Sequence, residues 1–259
     1  RKWFAAAPPE LPETIAATTQ TQRSSWLEVI TSALPVLLWG TLVTLQLAAI
    51  SGFFGFMIGI LFGIARLSRV RPIRWLARIY VDFFRGTPLI VQIFMVYYGL
   101  PALIKELGSE FNFDRLFAAV LALSLNCAAY VAEIVRGGIA SIEVGQTEAA
   151  QSLGLNSRQT MRFVIFPQAL RRMLPPLGNE FISLLKNTSL VAVIGFEELF
   201  RRGQLIVASN YRPFELYAIV ALIYLALTLF SSQAFSYFER AMNPAKRRRT
   251  KKPQVQVQP

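Results

Sequence analysis

Long apolar runs alternate along this chain with polar connections, and that alternation predicts its architecture. No charged residue occurs from Val29 to Ala65. A helix needs roughly 20 apolar residues to cross the hydrocarbon of a bilayer, so a first span is expected over Val36 to Ile64. Ile79 to Ile104 reads as a second span, interrupted by Gly86, Thr87 and Pro88. Leu116 to Ile139 is a third, with Asn112 or Asp114 available to cap its start. Leu174 to Phe196 is a weaker fourth, broken by Pro175, Pro176, Glu180 and Lys186. Leu216 to Phe238 is a charge-free fifth of 23 residues. The pattern predicts an all-α membrane protein with five transmembrane helices over residues 36–240, a polar lead-in over 1–35 and a basic tail over 241–259.

Composition agrees: 54% of residues are hydrophobic and 16% charged, and the mean hydropathy is +0.43, on the membrane side of globular averages. Gly52, Gly55, Gly59 and Gly63 recur at helical spacing on the first span. Such a stripe either lets a second helix approach closely or reflects the frequency of glycine in membrane helices. The net charge of +12 is spread over connections: Arg66, Arg69, Arg71, Arg74 and Arg78 after the first span, Arg158, Arg162, Arg171 and Arg172 after the third, and Lys246 to Lys252 in the tail. Basic residues in short loops stay on the cytoplasmic side, which predicts the N-terminus outside and the C-terminus inside. Scattered over membrane-flanking loops, these cations do not form a nucleic-acid face. Those of the tail suit anionic membrane lipid.

Against this background Glu148 to Pro167 stands out as a polar stretch between apolar segments. Glu148, Ala149 and Ala150 open a run of good helix formers that ends at Leu153, and Gly154 supplies the backbone freedom a helix end needs. Asn156 or Ser157 can cap the next helix. The expectation is helix, turn, helix, on the cytoplasmic side by the charge argument.

Charges inside spans are costly and mark function or pairing. Asp82 and Arg85 on the second span, and Glu133 and Arg136 on the third, are each three apart, so each pair can close on one helix face. They form either a structural ion-pair network or part of an inner gate. Asn126, Tyr130 and Glu133 fall on one face of the third span, and Asn179, Ser183 and Lys186 on one face of the fourth, with Glu180 beside them. Two such faces would make a polar seam for a zwitterionic or charged solute, or simply hydrogen-bond neighbouring helices. Glu180 and Lys186 are also able to pair with each other.

The chain has no histidine and a single cysteine, Cys127, so no disulfide and no cysteine-based metal site are expected, and no catalytic residue is assigned. Neither a phosphate-binding GxxxxGK[ST] loop nor a Rossmann fingerprint occurs. Any ATP-driven work needs a partner chain. An ion-driven secondary transporter is the rival reading, supported by Glu180 and Lys186 in an interrupted helix and opposed by the odd span count. A scaffold that transports nothing is a third.

The spacing Glu148-Ala149-Ala150, Gly154, Val164, Phe166-Pro167 resembles the EAA loop of permease subunits of bacterial ABC importers, with Val164 and Phe166 as conservative departures. Arg85-Gly86-Thr87-Pro88-Leu89-Ile90-Val91-Gln92, the segment Tyr130 to Ile139, Pro167-Gln168-Ala169 and Lys186-Asn187-Thr188-Ser189-Leu190 are similar to polar amino-acid permeases of the histidine, glutamine and glutamate uptake systems. The resemblance covers about residues 35 to 245. It implies a type I ABC importer permease fold in the bacterial inner membrane, beside a second permease subunit, the same or homologous. Two ATPase subunits holding ATP and Mg, and a periplasmic amino-acid-binding protein, are the implied partners. The coupling loop would span about 141–167, with Glu148, Ala149, Ala150, Gly154 and Pro167 serving the ATPase. No cofactor is implied in this chain. An amino acid would cross past Asn126, Tyr130, Asn179, Glu180, Ser183 and Lys186.

Overall fold

A computed structural model describes residues 26–109 and 113–242; the expected lead-in up to residue 25 and the tail beyond residue 242 lie outside them. Every regular element among the described residues is helical. Helix α1 runs from Trp26 to Arg66, 41 residues, or about 60 Å at the α-helical rise. It begins ahead of the expected Val36 and runs through Pro35. The expected second span is two helices, α2 (Arg71–Gly86) and α3 (Leu89–Glu106), the latter with a π-helical turn over Met95–Gly99. The division falls at Thr87 and Pro88, both extended. Proline lacks an N–H and excludes its predecessor from the helical region.

Helix α4 (Arg115–Ala140) starts at an Asp114 side chain that accepts the Leu116 N–H. Helix α5 (Val144–Ser152) leads to the long composite α6, residues 157–187, whose regular part is Phe166–Asn187 and which tightens into a 3-10 segment, Thr188–Ile194. Helices α7 (Leu199–Asn210) and α8 (Pro213–Met242) are the last among the described residues. Among the described residues α1, α3, α4 and α8 are long and apolar enough to cross a bilayer. Helix α6, the expected fourth span, is not in that set, since Arg171, Arg172, Glu180 and Lys186 dilute it. Nor is it broken at Pro175 and Pro176 as expected: the helix continues through both. Membrane helices tolerate proline where neighbours satisfy the freed groups.

The core forms where α1 meets α4. A Cβ placed on Gly55 would lie 2.9 Å from the Cys127 Cβ, on Gly59 2.6 Å from the Val131 Cβ, and on Gly63 2.7 Å from the Val135 Cβ. The stripe therefore serves close approach, and residues four apart on one helix meet residues four apart on the other. Gly52 faces Phe181 and Leu184 of α6 instead. A second cluster joins Val29, Ala33 and Leu37 of α1 to Leu199, Leu216 and Val220 of α7 and α8.

Glu198 holds this second cluster together from a fully buried position. Its carboxylate accepts the N–H groups of Phe200 (2.9 Å) and Arg201 (2.8 Å), which caps α7, and the hydroxyls of Tyr224 (2.8 Å) and Thr44 (3.4 Å). Thr44 Oγ1 in turn accepts the Leu199 N–H at 3.2 Å. Burial pushes the Glu198 carboxyl above the usual carboxylate range, while these donors pull it back. One side chain thus ties α1, α7 and α8.

Gly59→Leu is expected to lower the thermal unfolding midpoint of the detergent-solubilised protein, an overpacking cost of about 1–3 kcal/mol. Val131→Ala added to it should recover part of that loss; no recovery would mean that the α1–α4 contact is not the origin.

Candidate functional site

Three groups of residues carry the candidate chemistry. The first is the loop between α4 and α6. Helix α5 starts at Val144 behind Glu143, so Glu148 sits in its second turn and not at its beginning as expected; the acidic residue nearest the N-terminus is Glu143. Glu148 and Ala149 are exposed, and so are Val144 and Leu153, the last at 85%. Ala150 is buried at 4%, against the chain's own core. Bulk at Ala150 therefore disturbs the loop itself, whereas Ala149 faces outward.

The helix ends as the sequence predicts. Gly154 has φ +82°, its N–H donates to Gln151 O at 2.9 Å, and the Leu155 N–H donates to Ala150 O at 3.1 Å. This is the paired arrangement that a left-handed residue at a helix end permits. Nothing lies within 4 Å of a Cβ at Gly154, so the backbone, not space, selects glycine. Asn156 is the cap of the next helix: its Oδ1 accepts the Gln159 N–H at 3.0 Å, and Gln159 Oε1 accepts the Asn156 N–H at 2.9 Å. A π-helical stretch, Thr160–Ile165, precedes Pro167 at the start of the regular helix. Widening there accommodates a proline ring that would otherwise strike the preceding turn. Gln168 donates to Gln146 Oε1 at 3.1 Å, and Arg172 donates to the Ser141 carbonyl, so α6 holds the first turn of α5 and the turn that precedes it.

The second group lies at the ends of α1, α2 and α4. Glu133 accepts from Arg136 at 2.5 Å and pairs with Arg66, while Arg85 stands 3.9 Å away. Arg85 thus turns to Glu133 rather than to the expected Asp82, and among the described residues no cation lies within salt-bridge distance of Asp82. Proximity to α4 outweighs the weak preference for a partner three residues away on the same exposed face. Arg66 closes the network from α1, a partner 67 positions distant in sequence.

The third group is the expected seam. Asn126 is buried, and its Nδ2 donates to Gln92 Oε1 at 2.9 Å. Gln92, 2% exposed, donates to Phe84 O at 2.9 Å, Thr87 O at 3.0 Å and Thr87 Oγ1 at 2.9 Å. The two amides satisfy backbone carbonyls freed where α2 ends. Asn126 is therefore engaged at the α2–α3 junction. Gln92 was missed; its signal was an amide in an apolar run just after the break. Tyr130 remains accessible beneath the Arg85 guanidinium, 5.5 Å from its ring centroid. Glu180 lies beside Cys127 and within the field of Arg85, so Arg85 links Tyr130, Glu133 and Glu180. Asn179 and Lys186 are exposed and Ser183 half-buried. Glu180 and Lys186 form no salt bridge: six residues of helix turn them about 120° apart.

Asn126→Leu is expected to destabilise the solubilised protein by about 1–3 kcal/mol through unsatisfied buried groups. Asn179→Leu, at an exposed position, should leave the unfolding midpoint unchanged. Equal effects would mean that the Asn126 hydrogen bonds do not stabilise the junction.

The sequence pattern of the binding-protein-dependent transport system inner membrane component family matches residues 55–244. The chain is 42% identical over 210 residues to the glutamine transport system permease protein of Escherichia coli (strain K12), an alignment covering 81% of this chain and 94% of that one. It is 41% identical over 196 residues to the arginine transport system permease protein of Bacillus subtilis (strain 168), covering 76% and 87%. In three dimensions it superposes with TM-score 0.78 and 40% identity on a chain of a crystal structure of an amino acid ABC transporter with histidines, covering 85% of this chain and 100% of the other. The chain belongs to the inner-membrane component family of binding-protein-dependent transport systems, in which it is a permease subunit.

Proposed function

We propose that this permease subunit forms half of the translocation path of an ATP-driven importer of polar amino acids, with five membrane helices, the N-terminus outside and the C-terminus inside. The observation that carries the reading is the α5 loop: a short helix with exposed Val144, Glu148, Ala149 and Leu153, ended by a left-handed Gly154 and held at its base by α6. A short exposed helix held at its base suits insertion into a groove of a partner. The π-helical stretch and Pro167 lie between α5 and the regular part of α6, so a push on α5 reaches the helix that bears Glu180. The partners in this reading are two ATPase subunits that hold ATP and Mg, a second permease subunit and a periplasmic amino-acid-binding protein. Similarity to permeases of glutamine and arginine systems supports a polar amino acid as cargo. The cargo passes Tyr130, Asn179, Glu180, Ser183 and Lys186, while the Arg66, Arg85, Glu133 and Arg136 network sits at the inner end of the path. Glu180 under the influence of Arg85 offers both signs of charge to a zwitterion.

Gly154→Val places a β-branched residue in the left-handed region, a cost of about 1–2 kcal/mol, and should reduce ATPase copurification and ATP-driven uptake by about tenfold. Gly154→Asn, which tolerates that conformation, should retain most of both. If the valine variant assembles and transports like wild type, α5 is not the coupling element.

A further inference from the structure

Beyond the transport path, the chain has a cavity of about 510 Å³ lined by Arg66, Leu67, Arg74, Arg78, Asp82 and Arg136. It lies among α1, α2 and α4 at the end that the proposed orientation makes cytoplasmic, and its assignment rests on that orientation. With Glu133, to which Arg66 and Arg136 are tied, four arginines face two carboxylates, leaving an excess of two positive charges. Arg74 donates to Ser68 O at 3.1 Å, which anchors one edge; Arg78 is exposed and directed at the cavity. Arginine forks match the oxygens of a phosphate, and the cavity volume is that of a small-molecule site.

We propose that this cavity binds the phosphate headgroup of an anionic phospholipid. The choice of lipid over a free anion rests on α2. Arg71, Arg74, Arg78 and Asp82 form one stripe along it, and the adjoining sector carries Trp75, Leu76, Ile79 and Phe83, exposed by 62, 60, 46 and 44%. A basic stripe beside an apolar sector with Trp75 at the boundary suits a helix whose N-terminal part meets the lipid headgroups. Leu67 in the wall, with Leu61 and Ile64 exposed on the last turns of α1, gives an acyl chain an apolar track leaving the cavity. Basic pockets between membrane helices on the cytoplasmic side suit such headgroups. A bound phosphate offsets the excess charge and leaves Arg66 and Arg136 engaged with Glu133.

Native mass spectrometry of the full chain in its detergent-purified complex tests this, after exchange with mixed phosphatidylglycerol and phosphatidylcholine micelles. Wild type should retain phosphatidylglycerol in preference to phosphatidylcholine. Occupancy should fall about fivefold with Arg78→Gln and by a similar further factor in Arg74→Gln/Arg78→Gln, whereas Arg240→Gln, at the end of α8, should change nothing. Unchanged retention in Arg78→Gln, an equal loss in Arg240→Gln, or occupancy by inorganic phosphate without phosphatidylglycerol would each overturn the assignment. Because the readout is bound lipid, its failure is distinct from any failure of uptake or of ATPase coupling.

Discussion

The close approach of α1 to α4 is the contact on which the rest of the structure depends. In lipid there is no hydrophobic drive to bring two apolar helices together, so dispersion at short range and hydrogen bonds must do it. Glycines at 55, 59 and 63 let the α1 backbone reach Cys127, Val131 and Val135, and a Cβ at Gly59 would stand 2.8 Å from the Ala128 carbonyl. Side chains of any size there would push the helices apart and separate every polar group that α4 presents.

Those polar groups are arranged around α4. Asn126 reaches the α2–α3 junction through Gln92, Glu133 gathers Arg66, Arg85 and Arg136, and Cys127 meets Glu180 of α6. The network is spatially ordered: amides stitch a backbone break, ions cluster at one end, and Arg85 stands between the ion cluster and the accessible face of α6. At the other end, Glu198 joins α1, α7 and α8 without a cation, using backbone N–H groups and hydroxyls. An ion cluster near an aqueous face costs little, whereas a buried carboxylate survives only with several donors.

Long apolar runs made α1, α4 and α8 legible in the sequence, and Gly154 and Asn156 announced the loop because each has a local backbone role. What stayed hidden depends on distant partners. Arg66 reads as a loop cation until α4 brings Glu133 to it, and Glu198 reads as a charged loop residue until Thr44 and Tyr224 close around it. Asn126 shares a face with Tyr130, yet packing sends it to Gln92. Local rules also misdirect where tertiary contact is stronger, as with Asp82 and Arg85, or where a proline pair suggests a break that α6 does not make. Helix α5 begins before Glu148 because its start depends on the preceding turn at Ser141 and Ile142, not on the alanines that follow.

Solute movement through this subunit is powered by a separate ATPase. Proteoliposomes holding the permease, its ATPase and the binding protein decide it, with labelled polar amino acid outside and ATP with Mg inside, and with ion gradients collapsed by ionophores. Uptake is expected to require ATP and the binding protein and to be indifferent to the ionophores. Uptake that persists without ATP and vanishes with a proton or sodium gradient would contradict it.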